Sequence, residues 1–426
     1  MKQAATSIDL SSEIGRARAI VVHEPGAEIE NMTPATAAEV LYDDILSLPL
    51  AREAHRQLTG VLAKQADLLH FTDLLTAVLD NADVRERLLR VATRLYGCAE
   101  IMPELLAKGS AELARQLLQG TPMHKDTLEK YLSPLHHSLP PLPNAFFTRD
   151  ATMCLHDRVI IGSMAYRVRL LESLLLKAIF KYNTAIQSQG FYFDGTDDHD
   201  DADNGGDNKV TIEGGDLLVL RDDLILIGYS ERTTAAGIDR LIAAIAAHGR
   251  AKNFIVLEMP KSRASIHLDM IFTMVDRDKC VIYPPLISGS NRCRALHIAY
   301  AGQGQSKITE YSSLLKALKA QKLDLQPIAC GGSNRFNQER EQWASGANFF
   351  AMAPGHIIGY KHNLYTVEAL QQAGFAVLEA DDIISDKARL QEGQPTVVTI
   401  DGAELSRGGG GCRCMTMPLN RDAVDW

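Results

Sequence analysis

The sequence predicts an α/β body interrupted by an inserted α-helical bundle. Three observations carry that reading. Short β-branched runs such as "RARAIVVHEPG", "CVIYPP" and "PTVVTID" alternate with helical stretches through most of the 426 residues. Between about residues 73 and 135 the composition shifts to Leu, Ala, Glu and Arg, with apolar residues three and four apart as on amphipathic helices. The prolines of "HHSLPPLPN" then stop the helices. The expected division is 1–72 for the first part of the α/β body, 73–140 for the insert and 141–426 for the rest of the body.

The elements follow in order. "RARAIVVHEPG" reads as a strand closed by a Pro-Gly turn, and "PLAREAHRQLTGVLAKQ" as a helix leading to the apolar run "ADLLHF". The insert follows. "RVIIG" is a strand before the helix "YRVRLLESLLLKAIFKY". "NKVTIEGGDLLVLRDDLILIGYS" reads as strands turning at Arg221-Asp222-Asp223, and "TTAAGIDRLIAAIAAHG" as a helix with a C-terminal glycine. "NFIVLEMP", "CVIYPP", "FAVLEAD" and "PTVVTID" are strands; "SSLLKALKAQ" and "TVEALQQAG" are helices. No repeat is visible in the sequence.

The formal net charge of -9 disfavours a nucleic-acid partner, and no apolar run is long enough to span a bilayer. The seven cysteines are odd in number and show no CxxC pair, so a reducing compartment, the cytoplasm, is expected. The acidic stretch "FDGTDDHDDADNGGD" (193–207) fails the calcium-loop register and reads as a solvated surface loop.

Four polar patches interrupt the apolar strands: "NAFFTRD" (144–150), "IEGGD" (212–216), "SIHLDM" (265–270) and "RGGGGCRCMTMPL" (407–419). His267 and Asp269, two apart, project from one face if their segment is a strand. Glu213 and Asp216 flank two glycines that permit close backbone approach. A carboxylate beside His267 would keep it protonated near neutral pH, able to donate to a leaving amine and then to activate water. Asp150 and Asp269 suit a planar guanidinium, which two carboxylates hold bidentately. Cys412 and Cys414 follow glycines and flank Arg413. A nucleophilic thiol needs nearby positive charge, from a substrate cation, a protonated His267 or Arg413. The C-x-C pair lacks the partner cluster of a metal site.

Taken in order, "VVHEPGAEIENMTP", "PPLPNAFFTRD", "EGGD", "PKSRASIHLDM", "EREQWASGAN", "APGHIIGY" and "RCMTMPL" resemble the bacterial arginine deiminases, members of the guanidine-modifying pentein superfamily, over nearly the whole chain. The resemblance implies a five-bladed α/β propeller with its site in a central channel. It implies hydrolysis of L-arginine to L-citrulline and ammonia, with no metal and no organic cofactor, by a protein that forms a homo-oligomer. By position it makes Cys414 the nucleophile and Cys412 incidental. His267 becomes the general acid and base, supported by Glu213 and Asp269, with Asp150 as the second guanidinium clamp. Arg169 and Arg232 fall where the family grips the substrate α-carboxylate; Leu41, Asn144, Phe147 and Asp216 complete the implied binding set. Either Arg407 or Arg413 could serve as the mobile loop arginine. The alternative is a related guanidine-modifying enzyme, an amidinotransferase or a deiminase of another guanidino compound. Paired arginines favour a substrate that carries a carboxylate, which agmatine lacks.

Overall fold

The structure, a computed structural model, describes residues 5–196, 210–302 and 305–426. Most of the acidic stretch, from 197 to 207, lies outside the described residues. The fold is mixed α/β, and among the described residues five sheets repeat one pattern. In each, a first strand runs antiparallel to a second, and the second runs parallel to a third. The strands are Met417–Arg421, Ala17–Val22 and Asp67–His70; Thr152–Leu155, Arg158–Ile161 and Phe191–Asp194; Leu217–Arg221, Leu224–Tyr229 and Asn253–Glu258; Phe272–Met274, Lys279–Ile282 and Gln326–Ala329; and Phe350–Ala353, His356–Tyr360 and Thr396–Ile400.

The repeat has a geometric reason. An antiparallel pair closes with a tight turn, whereas a parallel pair needs a crossover long enough to hold a helix. The second and third strands are accordingly joined through helices: Leu48–Leu62, Leu170–Tyr182, Ala235–Ala247, Leu314–Ala320 and Leu364–Gln372. The repeat escapes inspection of the sequence because apolar core positions accept many side chains of similar volume.

The helical stretch predicted between 73 and 135 holds the helices Phe71–Leu79, Ala82–Leu95, Met102–Leu106, Ser110–Gln119 and Leu128–Leu132. Asn81 caps the second, its Oδ1 accepting from the amides of Asp83 (3.1 Å) and Val84 (3.2 Å). These helices do not form a separate core. Phe71, Leu75, Leu89 and Leu113 pack in one apolar cluster with Val159, Ile160, Leu175 and Ile179 of the α/β body. Among the described residues, no helix is long and apolar enough to cross a membrane.

One feature of the fold positions the site. The segment entering the first strand of each repeated unit is a tight turn or a single helical turn. In chain order these segments carry Asp150, then Glu213 and Asp216, then His267 and Asp269, then Asn348, and finally Cys414. His267 and Asp269 are therefore not in a strand, as their spacing suggests. Leu268–Met270 is a 3-10 turn, closed by the Met270 amide on His267 O (3.2 Å) and the Ile271 amide on Leu268 O (3.0 Å).

Candidate active site

Backbone contacts bring the entry turns together. The Arg149 amide donates to Cys414 O at 3.1 Å, joining the Thr148–Ala151 turn to the C-terminal loop. A Cβ on Gly214 would lie 2.0 Å from Arg149 O, and one on Gly215 would lie 2.5 Å from the His267 ring. Both glycines are required by close approach, as the sequence suggests.

Glu213 Oε2 lies 2.9 Å from His267 Nε2 and accepts from Arg232 Nη1 at 3.3 Å, while its Oε1 accepts from the Ala165 amide at 3.0 Å. On the other side of the ring, His267 Nδ1 is 3.8 Å from Asp150 Oδ1. Burial alone would lower the His267 pKa, but Asp150, Glu213 and Asp216 together raise it to about 9. The imidazole is thus a cation at neutral pH. Burial would raise Glu213, but Arg232 and His267 bring it down to about 2.

Cys414 Sγ lies 3.6 Å from Asp269 Oδ2 and accepts from Asn348 Nδ2 at 3.3 Å. Burial, then Asp269 and Asp150, push the thiol well above its usual range. Beside it, Arg413 is one of the largest fully buried side chains. It donates through Nη1 to Asp269 Oδ2 (2.9 Å), through Nε and Nη2 to Glu13 (3.0 and 3.1 Å) and through Nη2 to Leu217 O (2.7 Å). Burial would raise Glu13, but Arg413 and Arg149 lower it to about 2. Arg413 is therefore built into the site floor. Arg407 sits at the surface, bonded to Asp44 and Glu404.

Among the described residues, buried polar atoms around Cys414 and His267 that lack a hydrogen-bond partner include Asp150 Oδ1, Asp269 Oδ1, Arg232 Nε and Arg149 Nη2. Such orphans are expensive unless a ligand completes them. Eight of the sequence-predicted residues line one small cavity: Leu41, Asn144, Phe147, Asp150, Arg169, Arg232, His267 and Cys414. Gly408, Gly409 and Gly410 cover it, and Arg263 stands at its edge. Glu213 and Asp269 sit behind the lining, against His267 and Cys414 respectively.

Two predicted residues stand elsewhere than in an open binding position. Asp216 is not in the cavity wall; its oxygens accept from Ser230 Oγ (2.6 Å) and the Leu268 amide (2.9 Å), so it braces the turn that carries His267. Burial pushes its carboxyl up to about 7. Arg169 lines the cavity, but its guanidinium is engaged by Asp150 Oδ2 (2.7 Å) and Glu172 Oε2 (2.8 Å). Leu41 adopts the left-handed φ of 70°, and its carbonyl accepts from Arg263 Nη2 at 2.9 Å.

One ligand atom each of Asp150, Glu213 and His267 could reach a common cation, lying within 4.8 Å of one another.

The sequence reading missed Glu13, Asn348 and Glu172. Glu13 lies in the unremarked "SSEIG", and Glu172 in what reads as an ordinary amphipathic helix. Asn348 closes the quoted motif "EREQWASGAN", which was a findable signal.

The chain matches the arginine deiminase family over residues 38–421. It is similar in structure to SxtG, an amidinotransferase from Microseira wollei in the saxitoxin biosynthetic pathway, with a TM-score of 0.53 at 14% identity, covering 98% of each chain. It is also similar to the N-terminal domain of ArgZ, an arginine dihydrolase from the ornithine-ammonia cycle in cyanobacteria, with a TM-score of 0.51 at 13% identity, covering 96% of this chain and 99% of that one. At such identities these two likenesses establish a shared fold. The family match, spanning most of the chain, establishes that this protein belongs to the arginine deiminase family.

Proposed function

We propose that the protein hydrolyses L-arginine to L-citrulline and ammonia through a covalent intermediate on Cys414. The observation that carries this reading is the pair of buried carboxylate oxygens without a hydrogen bond, Asp150 Oδ1 and Asp269 Oδ1, on the two residues that flank the Cys414 thiol. A guanidinium supplies N–H donors on two edges of a plane and positive charge at its centre, which is what these groups lack. The orphan Arg232 Nε, on a side chain stacked 4.6 Å over the Tyr166 ring, is suited to the substrate carboxylate. The five repeated sheets, with one site segment entering each, support a five-bladed propeller whose centre is the site.

The reaction runs in two halves. Entry of the cationic guanidinium offsets the two carboxylates, and the thiol releases its proton to solvent. The sulfur attacks the guanidinium carbon, forming a C–S bond. His267, protonated beforehand, gives its proton to the departing nitrogen, and ammonia leaves. The neutral His267 then takes a proton from water, whose oxygen attacks the same carbon. The C–S bond breaks, citrulline departs and the sulfur regains a proton. Arginine and water are consumed; citrulline and ammonia are formed. Asp150 and Asp269 stay ionised throughout and hold the charge.

Amidino transfer is the second reading, favoured by the structural likeness to SxtG. The same intermediate would then be captured by an amine instead of water. An assay for ureido product and for amidino transfer, with arginine, agmatine and methylarginine side by side and with and without added amines, separates the readings. Citrulline from arginine alone is expected; product only when an amine is added would overturn hydrolysis.

A further inference from the structure

The nucleophile occupies an electrostatically adverse place. Asp269 Oδ2 is 3.6 Å from its sulfur, and Asp150 stands across the cavity. The charge of Arg413 is already committed to Glu13 and Asp269. Among the described residues, Asn348 provides the one side-chain N–H bonded to Sγ, at 3.3 Å.

We propose that Asn348 is the positioning residue of the nucleophile: its side-chain amide sets the Cys414 sulfur beside Asp269 and donates a hydrogen bond to it as it ionises. The inference rests on the reading of Cys414 as the attacking group.

The orientation of the amide is determined by its other contacts. Asn348 Oδ1 accepts from the backbone amides of Arg413 (3.0 Å) and Cys414 (3.3 Å). Only an oxygen can accept both, so the NH2 end faces the sulfur. The same NH2 donates to Asp269 O at 3.2 Å. One buried side chain thus joins the nucleophile loop, the Asp269 turn and its own strand-entry segment. That segment is anchored by the Asn348 amide on Ser345 O (3.0 Å), with Ser345 in the left-handed region at φ 60°. A Cβ on Gly411 would lie 2.6 Å from Asn348 Oδ1, so the last of the four glycines makes room for this amide.

An N–H donor favours thiolate over thiol because the bond to the anion is the stronger one. The groups facing the sulfur divide by sign. Asp269 and Asp150 oppose ionisation, while Arg413 and the Gly411 backbone favour it. Arg149 lies close enough to interact with Cys414, His267 shares its cavity, and Tyr360 packs against the loop with its hydroxyl on Gly410 O (2.9 Å). Asn348 is a neutral donor that acts without adding charge to a site built to receive a cation.

The test uses the full chain and two variants. Asn348→Ala removes the donor without adding charge; Asn348→Asp keeps an oxygen for the backbone amides but adds a carboxylate beside the sulfur, and so controls for charge. Alkylation of Cys414 by iodoacetamide is followed by peptide mass spectrometry across pH, alongside steady-state kinetics with arginine. The expected result for Asn348→Ala is an alkylation midpoint raised by about one pH unit and kcat lowered about 10-fold, with KM changed less than about threefold, and a larger rise in Asn348→Asp. A lowered Tm with an unchanged midpoint would reduce Asn348 to a structural role and overturn the inference. Cys414→Ser separates the two claims. If it retains turnover, the reading of the nucleophile fails. If it is inactive while Asn348→Ala titrates like wild type, only the role of Asn348 fails. Should neither Asn348 variant fold, wild type labelled with 15N-asparagine decides. The Asn348 NH2 resonance is expected to titrate with the alkylation midpoint and to lose that titration in Cys414→Ser; a pH-independent resonance overturns the proposal.

Discussion

Arg413 Nη1 donates to Asp269 Oδ2 at 2.9 Å, while Asp269 Oδ1, equally buried, has no hydrogen-bond partner among the described residues. The residue beside Cys414 therefore holds one oxygen of this carboxylate and leaves the other without a hydrogen bond. Asp150 repeats the arrangement: Arg169 Nη1 holds its Oδ2 at 2.7 Å, and its Oδ1 has no hydrogen bond, with His267 Nδ1 3.8 Å away. Each carboxylate is fixed in place by a buried arginine, which under the proposed function organises the site before substrate arrives.

The two carboxylates should respond alike to loss of charge. Asp150→Asn leaves Arg169 bonded to Glu172, and Asp269→Asn leaves Arg413 bonded to Glu13. Each weakens a buried ion pair, so each should cost about 3 kcal/mol of stability and lower kcat/KM about 100-fold or more. Urea unfolding beside steady-state kinetics checks this; an activity loss with no stability loss in either variant would contradict it.

The two thiols of the C-terminal loop should also separate. Cys414 lines the cavity, whereas Cys412 is buried in an apolar cluster with Tyr42 and Met415 and does not line it. Cys414→Ser should abolish citrulline release and Cys412→Ser should retain most of it, as read by a colour assay for the ureido group. Equal loss in both would overturn the assignment of the nucleophile.

The His267–Glu213 pair sets a pH window for stability. The folded pKa of His267 is raised to about 9, so its contribution is fully present below about 6.5 and is lost as pH rises through 9. Glu213 is depressed to about 2, so its contribution is present above its ordinary range near 4.5 and is lost as pH falls toward 2. The Tm difference between wild type and His267→Gln should be greatest near pH 6 and vanish above pH 9. A difference independent of pH would mean that His267 is neutral in the fold.

The glycine loop is latched at its outer end. Arg407 bonds Asp44 and Glu404, and Arg263 bonds Asp43 and Leu41 O; Arg263 and Gly409 line both the Cys414 cavity and the adjoining pocket that Arg407, Asp43 and Asp44 line. These pairs are at least partly exposed, so salt should weaken them with little effect on melting. Arg407→Ala should speed alkylation of Cys414 several-fold at low salt, and added salt should narrow the gap to wild type. Salt-independent labelling of both would show that another contact holds the loop.

Much of the architecture was legible in the sequence because periodicity and turn chemistry act locally. The hairpin at Arg221-Asp222-Asp223, the helix Ala235–Ala247 and the helical stretch between 73 and 135 formed where spacing predicts them. The polar patches were legible too, because charged and glycine-rich motifs stand out between apolar strands. The His267–Asp269 geometry was not: alternation suggests a strand, but a 3-10 turn won, its amides closing on local carbonyls. Glu13 and Asn348 were also hidden, since a buried charge or amide is recognised by the partner it meets, and Arg413 and Cys414 lie 400 and 66 residues away in the chain. Glu172 pairs with Arg169 only three residues back, but its burial, which makes that pair part of the site, comes from tertiary packing.

By itself the sequence determined the inventory: one thiol before "MTMP", a histidine with carboxylates near it, and glycines where backbones must come close. Only the tertiary structure decided how that inventory is wired. It committed Arg413 to Glu13 and Asp269, turned Asp216 toward Ser230 and the Leu268 amide, and placed Asn348 on the nucleophile. The reason is physical. Residue types are written along the chain, but hydrogen bonds and ion pairs depend on distances of a few ångströms, and five strand-entry turns far apart in sequence acquire those distances only when the sheets assemble.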